Sequence, residues 1–131
     1  MRAVTVPVSF GEAADKITIL TIKHEWMRDP VQRENVAREL ALLRQAFFAA
    51  ISRTPEFDAL FDQLTDVNRK LWTIEDAIRL CEKDGDFGKE FVKLARSVYQ
   101  HNDERARLKR KINMMLGSEL IEEKSYQGSN V

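Results

Sequence analysis

A chain of 131 residues with 21 acidic and 21 basic side chains has no net charge, which argues against a general nucleic-acid binder, since such proteins carry a basic excess. Its length fits one domain with a self-sufficient core, and its single cysteine, Cys81, cannot form an internal disulfide, so a reducing, cytoplasmic setting is expected. Five glycines and three prolines among plentiful Leu, Ala, Lys, Arg and Glu favour an all-α fold, and no apolar run approaches the ~20 residues of a membrane span.

In chain order, the start is too short and mixed for a signal peptide. Residues 1–8 are expected as an extended arm, because Pro7 limits any strand to an edge. Ser9 and Glu12 have capping-box spacing and open a helix from about Phe10 to Arg28. The β-branched run Ile17–Ile22 makes a strand the rival reading. However, Phe10, Ala13, Ile17, Leu20 and His24 form one helical stripe, and Ile19, Ile22 and Trp26 another. Two stripes imply burial on two sides, inside the bundle or at a subunit contact, and a homodimer is expected from them.

Asp29-Pro30 caps and starts a second helix running to about Ser52, with Val36, Leu40, Leu43, Phe47 and Ile51 as its core stripe. Thr54-Pro55 repeats the signal for a third helix to about Lys83, with Phe57, Leu60, Leu64, Val67, Leu71, Ile74 and Ile78 inward. Gly85 suits a left-handed C-terminal cap, and Asp86 is expected to cap a fourth helix to about Leu116. Gly117 ends that helix, Ser118 is expected to cap a short helix through Glu123, and residues 125–131 read as a flexible tail. The result is one domain, an antiparallel four-helix bundle with a long C-terminal hairpin.

A hairpin turning near Gly85 sets Trp72 level with Tyr99, Glu75 and Asp76 level with Arg96, and Asn68 level with Asn102 and Asp103. Asn68, Trp72, Glu75 and Arg79 also share one stripe. The structural account comes first: Glu75–Arg96 and Asp76–Arg79 pairs, with Asn68 and Asn102 fixing register. The functional account is a pocket for a polar ligand, in which Arg79, Arg96 and Arg107 hold a carboxylate or phosphate, and Glu75 or Asp76 acts as a base.

The run from Arg105 to Lys111 reads as solvated charge suited to a helix C-terminus rather than as a nucleic-acid patch. A metal is not expected, because neither His24 nor His101 follows a Glu at the spacing of di-iron bundles. Glu12 and Asp15 have the carboxylate spacing of a magnesium site, but such chemistry needs several such pairs. No phosphate-cradling glycine loop or serine elbow appears, so no cofactor is implied.

The segments D-K-I-T-I-L-T-I-K (15–23), L-W-T-I-E-D-A-I-R (71–79), L-A-R-S-V-Y-Q-H-N-D-E-R-A-R-L-K-R-K-I-N (94–113) and E-E-K-S-Y (122–126) resemble a small uncharacterised bacterial helical family. Members of that family occur near glycosyltransferases of cell-surface polysaccharide clusters. A second uncharacterised helical family shares the L-W-x-x-E-D-x-x-R pattern followed by a basic helix. The resemblance implies a recurring hairpin and an accessory role in surface-glycan assembly, with no reaction and no functional residues. The expectation is therefore an interaction protein; the alternative is a small helical enzyme or binder for an anionic metabolite or sugar nucleotide. The partners expected are a second copy, another protein or a small anionic ligand.

Overall fold

Three of the four helices begin where the sequence places a polar cap. Ser9 Oγ accepts from the Glu12 amide at 3.0 Å, Asp29 Oδ1 from the Val31 and Gln32 amides at 2.8 and 3.1 Å, and Thr54 Oγ1 from Phe57 at 3.1 Å. These satisfy amides the first turn leaves free. The computed structural model describes residues 2–127 and comprises α1 (Phe10–Trp26), α2 (Pro30–Ala49), α3 (Pro55–Asp84) and α4 (Lys89–Leu116). Together they form an all-α, antiparallel four-helix bundle. Among the described residues no helix is long and apolar enough to cross a membrane.

α1 is the element the others share: it packs against α2, α3 and α4. The β-branched run therefore sits in a helix whose Ile17, Leu20 and Ile22 are buried, together with the polar Asp15 and Thr18. Of its second stripe, Ile22 is buried, Ile19 is half-buried in a cleft wall and Trp26 is exposed. The core joins Ala14 and Ile17 to Phe47, Phe57, Leu64, Val67, Leu71, Leu108 and Ile112. At one end Phe47 lies 5.8 Å from Phe57 and 6.2 Å from Phe10, centroid to centroid, which closes α2 onto the bundle.

The α3–α4 turn follows the expected glycine. Gly85 sits at φ 66°, its amide donates to Glu82 O at 3.2 Å, and the Asp86 amide donates to Cys81 O at 2.9 Å, a Schellman closure. Asp86 does not cap α4. Its carboxylate takes the Gly88 amide at 3.1 Å, and α4 starts at Lys89 without a side-chain cap. The helix expected after Ser118 is also absent. The Ser118 hydroxyl accepts from the Phe10 amide at 3.3 Å and donates to Leu120 O at 2.6 Å, so it is spent on neighbours. Residues 118–127 instead run back along α4 without helix. Of the expected flexible tail, 128–131 lie outside the described residues.

α1 ends where Trp26 meets Trp72 edge-on at 5.9 Å. α3 continues twelve residues further, to Asp84, beyond this cover. There Ile74, Ile78, Cys81, Phe91 and Leu94 are only half-buried, and Leu80, Phe87 and Val92 are exposed.

Candidate functional site

A close helix crossing builds the site. A Cβ on Gly11 would lie 2.4 Å from the backbone oxygen of Lys109, so only glycine lets α1 approach α4 this closely. The Gly11 amide donates to Asn113 Oδ1 at 2.6 Å, which fixes the register. One turn along, Glu12 and Asp15 share the α1 face turned to α4. Glu12 Oε2 accepts from Lys109 Nζ at 2.7 Å, so the capping box forms only on the Ser9 side.

Asp15 is the centre, its side chain 2 % exposed. Its Oδ1 accepts from Arg105 Nε at 2.8 Å and from Asn68 Nδ2 at 2.9 Å, and its Oδ2 from Arg105 Nη2 at 2.5 Å. Lys109 Nζ stands 3.9 Å from the same Oδ2. Asn68 gives its second amide hydrogen to Thr18 Oγ1 at 2.8 Å, and the Thr18 hydroxyl donates to Asp15 O at 2.7 Å. A buried carboxylate is tolerable only with such compensation. Its hydrogen bonds raise the Arg105 pKa, outweighing the opposing effect of burial.

The Arg105 side chain is 30 % exposed, and its third nitrogen, Nη1, makes only a long 3.5 Å contact to Asn102 Oδ1. Two clefts meet at Asn102 and Arg105. One, of about 690 Å³, lies between α4 and the C-terminal segment, with Tyr99, Asp103, Lys109, Lys124 and Tyr126 in its walls. Lys124 holds the segment down through Asp103 at 2.8 Å, and the Ser9 hydroxyl donates to Glu122 Oε1 at 2.6 Å. The other, of about 460 Å³, runs toward the hairpin tip past Asn68, Trp72, Glu75, Asp76 and Arg79.

Of the residues expected on the hairpin flank, Asn68, Trp72, Glu75, Asp76, Arg79 and Asn102 thus line one cleft, and Tyr99, Asn102 and Asp103 line the other. Arg96 does not join them. It lies in a separate groove with Lys89, Val92, Lys93 and Gln100, and Glu75 pairs with Arg79 at 3.8 Å instead. Arg107 lies in an apolar groove with Met114 and Met115 and pairs with Glu104 at 3.0 Å. Trp72 and Tyr99 line different clefts; the aromatic partner of Trp72 is Trp26. Sequence reasoning missed Asp15, Thr18, Arg105 and Lys109 as one cluster. The signals were an acid beside a β-branched apolar run, and two cations four residues apart on α4.

Chemically, the junction offers a guanidinium edge to a carboxylate or phosphate, while the ammonium groups of Lys109 and Lys124, paired with Glu12 and Asp103, stand in the wall of the larger cleft. No curated protein and no solved structure matches the chain. A family model does match, over residues 4–130, and the chain belongs to that family, described as a family of unknown function (DUF6165).

Proposed function

We propose that the protein is an accessory binding protein that captures an anionic group with Arg105 at the junction of the two clefts. The observation carrying this reading is the two-point grip of buried Asp15 on Arg105. It leaves the outer guanidinium edge held in one orientation at an opening, so little side-chain entropy is lost on binding. Lys109 and Lys124 line the same cleft as second donors.

The proposed setting is surface-polysaccharide assembly in a bacterial cytoplasm. The sequence resemblance supports the first part, and Cys81, a free thiol, fits the second. A homodimer belongs to the same reading, supported by exposed Leu80, Phe87 and Val92; a monomer by light scattering at micromolar concentration removes it.

Thermal-shift screening against sugar nucleotides, simple carboxylates and inorganic phosphate tests the central claim. A ligand at a hundred times its Kd adds about 2.7 kcal/mol to the folded state, a shift of several degrees. The increment should shrink in Arg105→Lys, which keeps the charge and loses the fork. No stabilisation by any of the three classes sets the reading aside.

A further inference from the structure

The two clefts differ in charge. Toward the C-terminal segment lie Arg105, Lys109 and Lys124, against the single acid Asp103. Toward the hairpin tip lie Glu75 and Asp76, against Arg79 and the shared Arg105, so this cleft has a cation at its junction end and two acids further along. Between them sits an amide pair with spare capacity. Asn68 is 5 % exposed, and its nitrogen must face the Asp15 carboxylate and the Thr18 hydroxyl. Its carbonyl oxygen is therefore the atom left for the cleft, with no donor on it among the described residues. Asn102 Oδ1 lies 3.5 Å from Arg105 Nη1, and the Asn102 amide nitrogen likewise has no acceptor among the described residues. One open acceptor beside one open donor is what a peptide group requires.

The geometry points to an extended peptide segment as the occupant, with a carboxylate at Arg105 and a basic group at Glu75 and Asp76. This rests on the anion-binding reading and adds the nature of the partner. Glu75 lies seven residues beyond Asn68 along α3, about 10 Å at ~1.5 Å per residue. Asn68 and Arg105 meet on the same Asp15 oxygen, so this is also roughly the separation of the two charge sites. An extended chain rises ~3.3 Å per residue, so the acid and the base sit about three residues apart in the bound peptide. The side chain of Trp72, in the wall of the same cleft, offers a face for the aliphatic stem or the cation of that basic residue.

The test is fluorescence anisotropy of the full chain with short labelled peptides. One peptide carries Lys and Glu three positions apart, a second the reverse order, a third Glu alone and a fourth Lys alone; C-terminally amidated versions separate a side-chain carboxylate from a terminal one. One of the two dipolar peptides should bind at least tenfold tighter than the acid-only peptide. That ratio should fall to about one in Glu75→Gln/Asp76→Asn, and the Asn68, Asn102 and Trp72 side-chain N–H resonances should shift on adding the dipolar peptide. Equal affinity for dipolar and acid-only peptides overturns the inference and leaves anion capture at Arg105 standing. Binding of phosphate or a sugar nucleotide with no peptide binding also overturns it, in favour of a small-molecule site. Binding of none of these removes both readings.

Discussion

Truncating the two partners of the central ion pair should have unequal consequences. In Arg105→Ala, Asp15 stays at a position where its side chain is 2 % exposed. It keeps Asn68 Nδ2 at 2.9 Å, and the nearest remaining cation is Lys109 at 3.9 Å. Leaving a buried charge without its partner costs about 3–5 kcal/mol, and the Asn68 bond and Lys109 place this case near the lower end, about 3 kcal/mol. In Asp15→Ala the orphan is Arg105, whose side chain already reaches solvent and can swing into the cleft. The loss is then the hydrogen bonds from Asn68 and Arg105 and a small cavity, about 1–2 kcal/mol. At roughly 3–4 °C per kcal/mol for a domain of this size, Arg105→Ala should melt about 10 °C below the parent and Asp15→Ala about 5 °C below it. The double variant should be no less stable than Arg105→Ala alone, because removing the carboxylate relieves the orphaned charge. Thermal melts and urea titrations of all four proteins measure this. Equal costs for the two single variants, or a double variant at the sum of both, would refute the reasoning.

Further substitutions probe other parts of the same frame. Gly11→Ala places a methyl group against the Lys109 backbone oxygen, which backbone alone must relieve; a loss of about 2–3 kcal/mol is expected in urea titration, in the range of overpacked cores. Thr54→Ala removes the cap on the Phe57 amide and should cost about 1 kcal/mol. Partial burial, then Asp86, Glu90 and Asp84, push the Cys81 thiol up. Its thiolate should therefore appear at higher pH than in an unfolded peptide, and the alkylation rate of the folded protein should rise later along the pH axis. Lys124→Ala frees the C-terminal segment from Asp103, and hydrogen exchange in residues 118–127 should quicken while α4 keeps its protection.

The helices were legible because their ends are written locally. Asp29-Pro30, Thr54-Pro55 and Gly85 act through their own backbone neighbourhoods, and each lies where its chemistry predicts. Contacts between helices were only partly legible. Pairing α3 with α4 by counting from the turn brought Asn68 and Asn102 to one cleft. It could not foresee that α1 would insert beside both, claim Asn68 for Asp15 and give Trp72 a partner in Trp26. Arg96 and Arg107 were misplaced for the same reason: the direction each side chain takes around α4 relative to the site depends on where α1 lies. The basic run from Arg105 to Lys111 is continuous in sequence but divided in space. Arg105 and Lys109 turn to α1, while Arg107 and Arg110 turn outward to Glu104 and Glu123. Charge counting along the chain sees one solvated block where the fold makes two populations.

The position of α1 between its three neighbours also bears on how the chain assembles. The α3–α4 hairpin is local and can close as soon as both arms exist, whereas α1 meets α4 across about ninety residues of intervening chain. During synthesis α1 emerges first, yet the guanidinium that neutralises Asp15 arrives last. A nascent chain that stops short of Arg105 holds a lone carboxylate inside its most apolar helix, which disfavours premature collapse around α1. Pulse-labelled exchange during refolding should accordingly find the hairpin amides protected before those of α1.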